Sequence, residues 1–385
     1  MTQTKKIPFW RNSQVLTIIA QVIILAVVIA IFIFFGNNLA NNFRRLGLNF
    51  GFEFITRNSS FDIANPPFEF SPRDPYYKAI LVGLVNSLQV MFFGIILATI
   101  LGITVGIGRL SDNWLVRKLA TIYVETLRNT PLLLQLFFWY FAVFLKLPRI
   151  ENSLNIGNTI YLSNRGMTIP WFVTNGQTIV SFILIITTIS IAIFLWQKRI
   201  KLIEETGASG QKSLYLLIGS LIIAIAIFFF GIDWNLPQYE SNSIAGGINL
   251  SPEFATLLIG LSIYTASFIA EVVRAGIQSV SKGQWEAARA LGLRPGLVMQ
   301  LVIFPQALRV MIPPLTSEFL NLAKNSSLAI AIGYNDVYAI SNTISNQTGK
   351  AVEILLIIVS IYLTINLIIS LGMNRLNKSV QLKER

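Results

Sequence analysis

The sequence predicts an all-α integral membrane protein with about eight transmembrane helices. Three observations carry that reading. First, 54% of the 385 residues are hydrophobic and only 12% are charged, against roughly 25% charged in a soluble domain. Second, runs such as 15–35, 179–196, 214–230 and 352–371 reach the roughly 20 apolar residues that a bilayer crossing requires. Third, the basic residues fall unevenly on the two sides of the runs, as the positive-inside rule demands.

Apolar runs and their flanks place the spans at 14–35, 79–108, 118–145, 175–196, 213–231, 254–279, 308–324 and 352–373. The first is preceded by Lys5, Lys6 and Arg11, which gives it the outline of a signal peptide. It is about twice as long as a typical signal core and lacks a small-residue cleavage site, so it reads as an uncleaved span. With the N-terminus cytoplasmic, nineteen Lys and Arg fall inside, ten fall outside and Arg128 lies within a span. Both termini are therefore expected in the cytoplasm. The same bias accounts for the net charge of +12 without invoking nucleic acid.

Composition also excludes chemistry. The chain has no Cys and no His, which removes disulfides, thiolate metal sites and the commonest general base. Carboxylates and Lys remain available. The external segment 36–77 is rich in Asn, Phe and Pro, the external segments 151–171 and 232–252 carry turn-forming Asn, Gly, Pro and Ser, and all three read as loops. In the cytoplasmic segment 197–213, the stretch from Gly207 to Ser213 has the look of a phosphate loop. A true one needs glycine where Gln211 and Thr206 stand, so the segment reads as a linker without an ATP site.

The most informative cytoplasmic stretch is Ser281-Lys-Gly-Gln-Trp-Glu-Ala-Ala-Arg-Ala-Leu-Gly292. Glu286, Ala287, Ala288 and Arg289 favour helix, Gly292 suits a left-handed cap, and Pro295 prevents immediate continuation. A short isolated helix follows, with Glu286 near its positive end. Resting on lipid headgroups is one use for it. The Glu-Ala-Ala…Gly pattern, followed by Ile303-Phe-Pro305, instead resembles the EAA loop of ABC importer permeases. In that family the loop is a coupling helix that docks into a cytoplasmic ATPase. Gly283, Glu286, Ala287, Ala288, Gly292 and Pro305 are the coupling residues that this resemblance implies.

Further blocks resemble the polar amino-acid branch of the family: Tyr123-Val-Glu-Thr-Leu-Arg-Asn-Thr-Pro-Leu-Leu-Leu-Gln135, Ala270-Glu-Val-Val-Arg-Ala-Gly-Ile-Gln-Ser-Val280 and Leu322-Ala-Lys-Asn-Ser-Ser-Leu328. Gly51-Phe-Glu-Phe, Phe61-Asp-Ile and Asn164-Arg-Gly166 are similar to long-form permeases of general L-amino-acid systems, in which an extra pair of spans separates the core helices. The resemblance implies a type I ABC importer permease core. It divides the chain into an N-terminal span and external loop (1–78), a first core part (79–145), inserted loops and two extra spans (146–252), and a second core part (253–385) with the coupling loop at 281–305. It further implies a bacterial inner-membrane protein without cofactor or catalysis of its own. ATP and Mg would sit on two partner ATPase subunits. A paralogous second permease, more than a second copy of this chain, and a periplasmic amino-acid-binding protein would complete the transporter. Broad specificity, for acidic and neutral polar amino acids, is the expectation.

Charged residues at bilayer depth are costly and pair or line hydrated cavities. Glu125 with Arg128, and Glu271 with Arg274, share helix faces three residues apart and are ion-pair candidates. Glu318 lies in a span as well. A zwitterionic substrate needs donors for its carboxylate and acceptors for its ammonium. The path candidates are Asn86, Ser87, Arg128, Thr130, Gln135, Asn321, Lys324, Ser326 and Ser327. Helix breakers at Pro131, at Asn325-Ser-Ser327 and at Gly333 fall nearby. Gly102 and Gly106 suit close helix packing. A gradient-driven transporter has no use for the Glu-Ala-Ala…Gly loop. A membrane enzyme using Glu125, Glu271 or Glu318 lacks a clustered carboxylate motif.

Overall fold

A computed structural model describes residues 13–380 apart from 46, 48, 49, 207–209, 241 and 242. The basic residues Lys5, Lys6, Arg11, Lys383 and Arg385, and linker positions 207–209, lie outside the described residues. Among the described residues, seven helical segments are long and apolar enough to cross a membrane, and an eighth, shorter apolar segment covers Leu132–Lys146.

Helix α1 (Ser13–Arg45) leads into a long connecting segment, and α2 (Tyr76–Gly108) begins the packed core. Its main neighbour is α7 (Pro252–Gln278), the most deeply buried span. Small residues set their separation. A Cβ on Gly102 would stand 2.6 Å from Cβ of Ile269, and one on Gly106 would stand 2.8 Å from the Ala270 carbonyl oxygen. Ser251 caps α7 by accepting from the Phe254 N–H, and Pro252 takes the first turn, where no donor is needed.

The expected single span 118–145 is a broken one. Helix α3 (Trp114–Arg128) stops at Asn129, and α4 (Leu132–Phe137) starts after Pro131, continuing as π and 3-10 turns to Lys146. Pro131 offers no N–H, so carbonyls of the preceding turn lose their helical donor. Gln135 replaces it: its Nε2 donates to the carbonyls of Leu127 at 2.9 Å and Thr130 at 3.0 Å.

The inserted region also departs from the reading as loops. It carries eight short strands: β1 (Leu154–Ile156), β2 (Ile160–Ser163), β3 (Gly166–Ile169), β4 (Trp171–Phe172), β5 (Trp234–Asn235), β6 (Gln238–Glu240), β7 (Ser243–Ala245) and β8 (Ile248–Leu250). The antiparallel order β1-β2-β3-β8 joins the two halves of the insertion, with Met167 opposite Leu250 and Ile169 opposite Ile248. Strands β4 and β5 clasp the base of a helical hairpin, α5 (Gly176–Thr206) and α6 (Gln211–Ala226). These two helices pack on one another. The strands, two to four residues long, are too short to show a period-two pattern.

Beyond α7 the chain makes α8 (Lys282–Ala290), the single turn α9 (Pro295–Leu297), a π turn over Val298–Ile303 and α10 (Phe304–Asn325). A 3-10 segment, Ser326–Ile332, extends α10 until Gly333 ends it at φ +77°. Helix α11 (Val337–Thr348) then folds back against α2, and α12 (Ala351–Val380) completes the core against α10.

Candidate functional site

Two arrangements stand out, a projecting helix at one end of the core and a polar constellation along its side. Helix α8 follows α7 after three residues and ends at Gly292, whose φ of +76° is the left-handed conformation that glycine adopts without strain. The N–H of Gly292 reaches the Arg289 carbonyl and that of Leu293 reaches the Ala288 carbonyl, closing the helix end. Trp285 and Ala288 face the core, packed with Leu293 and Val298. Gly283, Glu286, Ala287, Arg289 and Ala290 face outward, and Leu291 is 81% exposed.

The residues expected to couple therefore divide. Gly283, Glu286 and Ala287 lie on the free face, and Gly292 shapes the turn. Ala288, expected to admit a partner, is 3% exposed and belongs to the inner face, because it follows Trp285 by three residues on the same stripe. Pro305 lies off α8 altogether, in the first turn of α10 just after the π turn over Val298–Ile303. Leu291 was not singled out from the sequence, since one Leu at a helix end carries no pattern.

The path candidates divide too. Asn86 and Ser87 are buried and hold the start of α11 onto α2. Asn86 Nδ2 donates to the Asn335 carbonyl at 2.8 Å, and Ser87 Oγ accepts the Val337 N–H at 3.0 Å. Gln135 bridges the helix break, and Ser326 donates to the Ala323 carbonyl at 2.9 Å while fully buried. These four are committed to backbone groups. Thr130 and Ser327 are partly open and also bond locally, to the Thr126 and Lys324 carbonyls. Arg128, Asn321 and Lys324 are exposed.

Arg128 was paired with Glu125 on spacing, and the structure separates them. The Arg128 guanidinium lies over the Phe268 ring of α7, 5.1 Å from its centroid. It is within electrostatic reach of Glu318 on α10, which lies three residues before Asn321 on the same helix. Glu125 instead faces Arg109 at the end of α2, 3.7 Å away. The second expected pair is present and larger than expected: the Glu271 carboxylate accepts from both Arg274 and Arg109. Arg109 resembled one more inside-positive charge in the sequence, and its partners lie 16 and 162 residues away.

The family model for the binding-protein-dependent transport system inner membrane component matches residues 213–382. Across nearly the whole chain, the putative amino-acid ABC transporter permease protein YhdX of Escherichia coli (strain K12) is 41% identical over 381 residues, 97% of this chain and 96% of its own. The chain belongs to the long-form permeases of ABC amino-acid importers. The general L-amino acid transport system permease protein AapQ of Rhizobium johnstonii is 41% identical over 377 residues, 96% of this permease and 93% of its own. The glutamate/glutamine/aspartate/asparagine transport system permease protein BztB of Rhodobacter capsulatus is 38% identical over 405 aligned positions, 96% of this permease and 94% of its own. The permease is thus a multi-pass inner-membrane subunit of an ABC transporter. Hydrolysis belongs to a separate ATPase subunit, and the family uses no cofactor.

Proposed function

We propose that this permease imports L-amino acids, with acidic and neutral polar ones among them, and that α8 is its coupling helix. The projecting face of Gly283, Glu286, Ala287 and Leu291 on a helix anchored through Trp285 and Ala288 is the observation that carries the reading. A helix so anchored moves with the core, because Ala288 is packed against Val298 and Leu293. A displacement imposed by an ATPase on the free face is therefore transmitted to the end of α7 and to the π turn leading into α10.

In this reading two ATPase subunits carry ATP and Mg, and a binding protein delivers substrate to the external face. A second, paralogous permease supplies the other wall, and both termini are cytoplasmic. Arg128, Thr130, Asn321, Lys324 and Ser327 line the path on this subunit, and Glu318 joins them. Arg128 supplies a fork of donors for the substrate carboxylate, and Glu318 an acceptor for its ammonium. The helix break at Asn129–Pro131 supports this assignment, because it ends α3 directly after the exposed Arg128 and leaves Thr130 partly open.

Uptake of labelled amino acids tests the reading, using the complete transporter in cells with native permease, Glu286→Lys and Gly292→Asp. Loss of uptake and of ATPase association in both variants, with permease still in the membrane, is the expected result. Unchanged uptake that survives ATP depletion under an ion gradient sinks it.

A further inference from the structure

We infer that Arg109 is a positioning residue of the transport cycle, which fastens α3 to the α2–α7 pair at their cytoplasmic ends and releases it as the path opens. The inference rests on α8 being the coupling helix. Arg109 stands at the end of α2, one residue beyond Gly108, with a side chain only 12% exposed. Its two arms differ. Nη1 donates to Glu271 Oε2 on α7, and that carboxylate is held from its other side by Arg274, whose Nε lies 3.1 Å from the same oxygen. Nη2 reaches Glu125 Oε1 on α3 at 3.7 Å, and the Glu125 side chain is 58% exposed.

A charge-assisted bond shielded among partners is persistent, whereas an exposed pair at that separation breaks and re-forms readily. Arg109 therefore travels with α7 and lets go of α3. The backbones favour the same division. At Gly102 and Gly106, α2 and α7 are in contact too close for a side chain to intervene, so they move as one body. Helix α3 meets them through one buried residue, Val124, and through the Tyr123 hydroxyl, which donates to the Ile263 carbonyl at 2.6 Å and leaves α3 a pivot on α7 once Arg109 lets go.

The position gives the contact its consequence. Glu271 lies seven residues before the end of α7 at Gln278, and α8 begins four residues after that end. Arg128 lies three residues beyond Glu125 on α3. Motion of α8 thus reaches Glu271, passes to Arg109, and decides whether α3 is held or freed. Arg128, the last residue of α3, moves with it. The link is physical and continuous, made of one helix end, one ion cluster and one amphipathic helix.

Disulfide trapping reads this directly, because the chain has no native Cys to interfere. A Cβ on Gly108 would lie 3.5 Å from Cβ of Ala120, within the range of a relaxed disulfide. The double variant Gly108→Cys/Ala120→Cys leaves every charge of the cluster in place. It is assembled with its ATPase and oxidised in the nucleotide-free state and in the ATP-bound state of a hydrolysis-deficient ATPase. We expect crosslinking rates to differ about tenfold between the two states. We also expect the oxidised transporter to lose uptake and regain it on reduction. Adding Arg109→Gln, or Arg109→Lys, which keeps the charge but lacks the fork, is expected to erase the state dependence while the ATPase still associates. Equal rates in both states, or native uptake with the disulfide closed, overturns the inference. Failure of the coupling-helix reading shows separately, as intact ATPase association and uptake in Glu286→Lys.

Discussion

Gly83 shows how much one missing methyl group decides in this core. A Cβ there would stand 2.8 Å from the Val337 Cα and 2.9 Å from the Asp336 carbonyl oxygen, both backbone. Gly83→Ala must push the start of α11 off α2, disturbing the bonds from Asn86 and Ser87 a turn away. Such overpacking costs about 1–3 kcal/mol, and the expected result is a lowered midpoint of thermal unfolding in detergent. Gly94→Ala is the control. Its nearest neighbours are the side-chain carbons of Leu322 at 3.5 Å, an ordinary contact, so the midpoint is expected to stay where it is. At this scale the sequence misled most where polar groups are concerned. Asn86 and Ser87 are the right residue types for a zwitterion's lining, but the backbone that claims them is 249 and 250 residues away. Composition gives a polar residue in a span a reason to be satisfied and says nothing about which group satisfies it. The Glu271–Arg274 pair was legible because both partners share one helix turn. The Arg109 contacts were not, because they join three helices.

Among the elements, the α3–α4 break depends on a single amide. Gln135→Leu keeps the volume of the side chain approximately and removes the donor that serves the Leu127 and Thr130 carbonyls. Buried carbonyls left without partners cost about 1–3 kcal/mol in total stability. The variant is expected to unfold at lower temperature and, because Arg128 and Thr130 flank the break, to lose uptake as well. A variant stable as native and fully active would show that water, not Gln135, serves these carbonyls. Pro131 announced a kink in the sequence, and the structure turns the kink into two helices, since the carbonyls it frees were given a side-chain donor instead of a helical one. Helix α8 was the most legible element. Its start, its outward charge and its glycine end are all written locally, between Ser281 and Gly292. The strands β1–β8 were the least legible, because a pair of three-residue strands is specified by its partner across the insertion and not by its own pattern.

For the molecule as a whole, the α5–α6 hairpin is an annex to the core. Its base is closed by β4 and β5, with the Val173 N–H donating to the Asp233 carbonyl at 2.9 Å. Its helices bury their faces mainly against each other among the described residues. Removing 176–231 and joining the two ends through a short turn is expected to leave the core folded, with ATPase association and coupled uptake within about twofold of native, by the tolerance of surface insertions to change in length. Loss of assembly in that variant would mark the hairpin as a seat for another subunit. The eight-span count followed from apolar runs and their flanks, and the family resemblance marked one pair of those spans as extra. How the runs pack did not, since lipid-facing and core-facing helices are almost equally apolar. The bonding of α2 to α11 also sets a timetable for synthesis. At roughly 5–20 residues per second, the carbonyl and amide that satisfy Asn86 and Ser87 emerge from the ribosome about 12 to 50 seconds after α2 itself. For that interval a membrane segment with two unanswered polar side chains and a glycine-lined face waits for the far end of its own chain. Nascent α2 therefore needs shelter by the insertion machinery until residues 335–337 arrive.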